Sequence, residues 1–100
     1  MSRYVLSSEA LLELDDIWGF IAQDDVEAAD RWIARLLDAC EMIGHNPRIG
    51  HTRKDLTENS LLFWPAGAYL IVYRILEGAI EIVAVTQGAR DIPSYLRRRS

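Results

Sequence analysis

Basic side chains are the residues of this sequence whose type and spacing could do chemistry. Arg48, Arg53 and Lys54 share one polar stretch, Arg74 lies near the end of an apolar run, and Arg90, Arg97, Arg98 and Arg99 gather near the C-terminus. Such groups, once brought together, can stabilise the charge that develops in phosphodiester cleavage. They can equally bind a nucleic-acid backbone without chemistry or meet the acidic patch of another protein. Arg74 and Arg90 flank strand ends, and their convergence in space is one expectation. The plain alternative is a pair of ordinary surface ion pairs, Arg74 with a sheet neighbour and Arg90 near Asp91, each worth little.

Other chemistry finds less support. His45 and His51 sit in loop sequence with no further metal ligands beside them, so no metal site is expected. Ser7 and Ser8 are explained by a helix start, and no histidine is placed to activate either. Asp15–Asp16 and Asp24–Asp25 are adjacent pairs, which point in different directions on a helix, and read as solvated surface and a cap. Cys40 is the only cysteine and falls in an apolar helical pattern, which makes it a small core residue and excludes an internal disulfide. No Gly-rich phosphate loop, HExxH or CxxC occurs, and no cofactor is expected.

The elements that would position the basic set come from a chain of 100 residues, one domain spanning 1–100. Half of the residues are hydrophobic and the formal net charge is −4. That charge is split, with −6 over residues 1–40 and +2 over residues 41–100, as if two faces met different partners. A pI near 5.0 disfavours general RNA binding, which depends on phosphate neutralisation. No apolar run approaches the ~20 residues that cross a bilayer, and "MSRYVLSSEA" lacks the core of a signal peptide. The expected location is therefore cytoplasmic, with no membrane partner.

Periodicity predicts the order β-α-α-β-β-β. "RYVLS" reads as a short strand, and Ser7 as the cap of a helix ending near Gln23 with Ala10, Leu14, Ile17 and Ile21 as its stripe. A second helix opens at Asp24, with Glu27 completing a capping box, and carries Ala29, Trp32, Ile33, Leu36, Leu37, Cys40 and Ile43 inward. Gly44 suits a left-handed stop and Pro47 prevents resumption. Residues 47–59 read as loop. "SLLFWP", "AYLIVYRIL" and "AIEIVAVTQ" read as strands joined by turns at "AG" and "EG", with Ile80, Ile82 and Ala84 on one face. Trp18 and Trp32 fall on the inward helix stripes, whereas Trp64 beside Pro65 falls on an edge strand. A helix hairpin can bury its stripe only on a sheet face, so the fold class is α+β, a two-layer sandwich on a small, mainly antiparallel sheet.

The element order, together with "LSSEALLELDDIWGFIAQDD", "AADRWIARLLDAC", "NPRIGHTRKDL", "YLIVYRI" and "QGARDIPSYL", resembles the ParE branch of the RelE/ParE superfamily of bacterial toxins. The likeness runs from Leu6 to Leu96. It implies the toxin of a type II toxin–antitoxin module, a non-enzymatic inhibitor of DNA gyrase held in a hetero-oligomer by a ParD-like antitoxin. The RelE branch instead implies a ribosome-dependent mRNA endoribonuclease. On that alternative Arg74, Arg90 and Tyr95 are the catalytic candidates, although Leu70 stands where that branch commonly has an arginine and Tyr95 is one position from the tyrosine site. A third alternative is a non-toxic antitoxin-binding module. Gln87 occupies a position that is often histidine in ParE-like chains. The ParE resemblance and the charge split together place Arg90, Arg97, Arg98 and Arg99 against the target, gyrase or its bound DNA. Trp64, Tyr69 and Arg74 are the expected antitoxin contacts.

Overall fold

The central strands carry apolar side chains on both faces, and this dictates the layering. A computed structural model of the chain describes residues 4–52 and 60–88. Its elements are β1 (Tyr4–Leu6), α1 (Ser8–Ala22), α2 (Val26–His45), a 3-10 turn (Pro47–Ile49), β2 (His51–Thr52), β3 (Leu62–Ala66), β4 (Tyr69–Leu76) and β5 (Ala79–Gln87). The strands form one sheet in the order β1-β5-β4-β3-β2. Among the described strands the β1–β5 pair is parallel and the other pairs are antiparallel. The helix hairpin covers one face, giving the expected α+β architecture.

The helix-facing core joins Ala10, Leu14, Leu36, Cys40 and Ile43 to Tyr69, Ile71, Tyr73, Ile80, Ile82 and Val85. Phe63, Val72 and Ala84 form a separate buried cluster on the opposite face. Burial of Cys40 is complete, and loss of water pushes its thiol up to about 12.

Several local expectations shift. The cap of α2 is Asp25, not Asp24: its carboxylate accepts from Ala28 N at 3.0 Å, leaving no place for a box with Glu27. Gly44 stays helical, because α2 runs through His45 and Asn46 takes the cap position. The β3–β4 turn is Gly67–Ala68 rather than Ala66–Gly67, since Gly67 supplies the positive φ of +64° at the first central position of the two-residue loop. Part of the expected 47–59 loop is strand: His51 and Thr52 pair with Phe63 and Leu62.

Trp18 also departs from the expected core. It is 37% exposed and its Nε1 donates to Asp30 Oδ1 at 2.8 Å, tying α1 to α2 at the hairpin surface. An indole with a charged partner nearby keeps its N–H satisfied at the rim without the desolvation that burial would require.

Ala84 does not share a face with Ile80 and Ile82. Val72 lies opposite Ala84 and Tyr73 opposite Ile82, so Val83 is an extra residue in β5. This bulge reverses the alternation, turning Val85 toward the helices and Ala84 away from them. Ser7 fixes the bulge. Its N donates to Ile82 O at 3.0 Å, its Oγ donates to Val83 O at 2.9 Å, and the same Oγ accepts from Ala10 N as the cap of α1.

Candidate partner-binding site

Two ends of the β4–β5 pair carry the features that could engage a partner. At one end the strands meet in the Glu77–Gly78 turn; at the other, Tyr69 lies opposite Gln87. The sequence-derived candidates divide between these ends and β3.

Arg74 lies near the hairpin turn. Its Nε donates to Glu81 Oε1 at 2.7 Å across the sheet, and both groups lie on the strand pair that the register places side by side. Gly88, the last described residue before Arg90, sits at the other end of β5, roughly 20 Å away at the usual strand rise. Arg90, Tyr95, Arg97, Arg98 and Arg99 themselves lie outside the described residues, so Arg74 is the one member of the catalytic alternative that the structure describes.

Trp64 is half-buried and packs against the helix-facing core. Its ring stacks on His51, with centroids 6.1 Å apart and planes 14° apart. Among the described residues β2 pairs with Leu62 and Phe63 only, so Trp64 and Pro65 occupy a stretch of β3 whose one described partner is β4, where a missing proline N–H is tolerated.

Tyr69 is buried. Its ring meets Trp32 edge-on, at 5.3 Å between centroids and 74° between planes, while Arg35 lies 4.5 Å over the Trp32 ring. The Gly67 turn presses against this stack: a Cβ at Gly67 would come within 2.6 Å of the Trp32 ring. Tyr73, four residues on, serves a different purpose. Its hydroxyl donates to Pro47 O at 2.6 Å and accepts from Gly50 N at 2.8 Å. Burial raises its pKa, and the hydrogen bond from Gly50 opposes that shift. Tyr73 thereby ties the sheet to the 47–50 segment.

A groove of about 230 Å³ opens beside Tyr69. Tyr69, Val85, Thr86 and Gln87 contribute from the sheet, and Glu13, Asp16 and Phe20 from α1. Thr86 is buried at its base, whereas Phe20 is 68% exposed at its rim. Glu13 Oε1 accepts from Val85 N at 3.0 Å, supplying from a helix what a neighbouring strand would otherwise provide. Every ionisable group of the lining other than the Tyr69 phenol is a carboxylate. Sequence reasoning missed this groove. Phe20 lies off the apolar stripe of α1 and could have been flagged on that ground; Glu13 gave no signal, because its partner is 72 positions away.

Among the described residues no group of three or more His, Cys, Asp or Glu side chains could hold a metal ion, and no helix is long and apolar enough to cross a membrane.

Comparison with known proteins gives the chain its family. Residues 4–92 match the family described as the ParE toxin of the type II toxin–antitoxin system, parDE. The chain is 30% identical over 97 residues to Toxin ParE1 of Mycobacterium tuberculosis strain CDC 1551 / Oshkosh, covering 95% of this chain and 98% of that protein. The same figures hold for Toxin ParE1 of strain H37Rv. Among solved structures, one described as the chromosomal ParDE TA system from P. aeruginosa superposes with a TM-score of 0.72 at 14% identity, covering 87% of this chain and 96% of that one. At that identity it attests the shared fold. The end-to-end match of sequence and fold assigns the chain to the ParE toxin family of type II toxin–antitoxin systems.

Proposed function

We propose that this ParE-type toxin acts in the cytoplasm as a protein inhibitor of DNA gyrase and is neutralised by a ParD-like antitoxin in a hetero-oligomer. The observation that carries the reading is the family match over residues 4–92. Two features of the chain support a binding role over catalysis. Arg74 is engaged with Glu81, so its charge is already partly compensated. The open groove and the half-buried Trp64 offer apolar contact area of the kind that partner binding uses. On this reading Arg90, Arg97, Arg98 and Arg99 face gyrase or its bound DNA, and Trp64, Tyr69 and Arg74 lie within reach of the antitoxin.

Pulse labelling after induction of the chain alone tests the proposal. Thymidine incorporation should fall first while methionine incorporation continues. Removal of Arg97–Arg99 should weaken toxicity and leave antitoxin binding in place. An early collapse of translation with mRNA cleavage would replace gyrase inhibition with the ribonuclease reading, in which Arg74, Arg90 and Tyr95 act. If both syntheses continue with folded protein present, the chain is a non-toxic antitoxin-binding module.

A further inference from the structure

We infer that the toxin's target docks an acidic segment on the outer flank of α2, its carboxylates on Arg31 and Arg35 and an apolar side chain on Met42. This inference rests on the gyrase reading above and specifies a surface, and the charge of the segment, through which that target is engaged.

The arginines are a local exception in an acidic layer. The sequence of α1 contains no lysine or arginine, and that of α2 contains two arginines, Arg31 and Arg35. Four residues apart, they share one flank of the helix and repel each other. Glu27, one turn before Arg31, is spaced to relieve that repulsion, yet among the described residues neither arginine is ion-paired. The other acids of α2 serve elsewhere. Asp30 accepts from Trp18 on α1, Asp38 and Glu41 act on Tyr4 of β1, and Glu41 lies beside His45. Both arginines are exposed, and their charges are not spent on the described fold.

Arg35 is also held in place. Its guanidinium lies 4.5 Å over the Trp32 ring. That ring is fixed by the edge contact with Tyr69 and by the turn at Gly67, where a Cβ would come within 2.6 Å of it. A planar fork already stacked on an indole loses little freedom when it takes a carboxylate. Met42 completes the flank. Helical geometry puts Arg31, Arg35 and Met42 within about 40° of one another around the axis, with Arg35 about 6 Å and Met42 about 16 Å along from Arg31. Met42 is 38% exposed, and its unbranched side chain adapts to an apolar neighbour.

The surroundings choose the class of partner. A nucleic-acid strand would run its phosphates past Glu27 and Asp38, on a chain whose formal net charge is −4. A protein segment can set carboxylates on the two arginines alone and cover Met42 with an apolar group, so that each contact is complementary.

The probe is purified gyrase, used in supercoiling assays and, without DNA, in direct binding to this chain. Arg31→Glu and Arg35→Glu should each weaken binding and inhibition about tenfold or more. Circular dichroism should stay unchanged, and the complex with the antitoxin encoded beside this chain should be retained. Added salt should weaken the wild type more than the double reversal. Inhibition by both variants equal to that of the wild type overturns the inference and leaves the gyrase reading intact. Loss of the antitoxin complex in the variants assigns the flank to the antitoxin and overturns it. A deficit seen only when DNA is present assigns the arginines to DNA and likewise overturns it. A wild-type chain that leaves gyrase unaffected removes the gyrase reading and the inference with it.

Discussion

The two ends of the β4–β5 pair satisfy their backbone in opposite ways. At the hairpin end, the chain closes on itself: Glu77–Gly78 turns in two residues, and Tyr73 holds Pro47 and Gly50 to the sheet through one hydroxyl. At the Tyr69–Gln87 end, the neighbouring strand has already departed, and Ser7 and Glu13 substitute for it with side chains. The first arrangement consumes its polar groups in making the fold. The second leaves Gln87, Phe20 and Asp16 at the surface beside a buried aromatic. The difference is that side chains stand in for a strand where the sheet outlasts its neighbour, whereas at the other end a loop returns to the sheet.

The widest separation between the ends should come from their turn glycines. Gly67 has φ +64° and a Cβ there would press into Trp32, so Gly67→Ala combines a left-handed backbone cost with overpacking, together about 3 kcal/mol. Gly78 has φ +78° with nothing within 4 Å, so Gly78→Ala should show the backbone cost alone, about 1 kcal/mol. Urea denaturation of the two variants measures the contrast directly. Equal losses would mean that the Trp32–Tyr69 stack yields easily.

Tyr73→Phe should destabilise by about 2 kcal/mol, because Pro47 O and Gly50 N lose their partner inside a part-buried tie. Faster exchange confined to the Gly50 amide and its neighbours would locate the loss at the hairpin end. No change in melting temperature would show that water replaces the hydroxyl there.

Alkaline pH probes the core between the ends. The Cys40 thiol is raised from 9.0 to about 12 in the folded chain, so the unfolded chain loses its proton first. Its contribution is whole below about pH 9 and fades as pH climbs toward 12, at about 1.4 kcal/mol per pH unit where only the unfolded chain is ionised. Burial raises Tyr4 and Tyr73 in the same direction. Cys40→Ala should therefore flatten the alkaline decline without abolishing it. An unchanged slope in that variant would show that the tyrosines account for it.

The smallest effect belongs to Arg74→Ala. The pair with Glu81 is short, but the arginine side chain is 52% exposed and solvent screens it, so the loss should stay below about 1 kcal/mol. A larger loss in a double-mutant cycle with Glu81 would make Arg74 a structural anchor of the hairpin end and weaken its candidacy as an antitoxin contact.

Much of the fold was legible because its signals are local. The Ser7 cap, both helices, the two tight turns and the apolar run of β4 each lie within a few residues of the sequence that encodes them. Errors of one residue, as at Asp25 and Gly67, fall where adjacent residues of similar chemistry compete for one geometric role. The candidate site was less legible. Trp64 and Tyr69 were found as aromatics on strands, yet their surroundings, the His51 stack and the Trp32 edge contact, join segments that no periodicity links.

The sequence by itself determined both helices, β1 and the three longer strands, most of the stripe that the helices turn inward, that one face of a sheet must receive the hairpin, and the family likeness that those motifs carry. Only the tertiary structure decided the strand order, the Val83 bulge that sends Ala84 and Val85 to opposite faces, the exposure of Trp18, and the acidic groove beside Gln87. The physical reason is range. Caps, turns and amphipathic stripes are set by hydrogen bonds and side chains within one or two turns of chain. Glu13 meeting Val85 and Ser7 meeting Val83 join positions 72 and 76 apart, and such contacts exist only once the layers have packed.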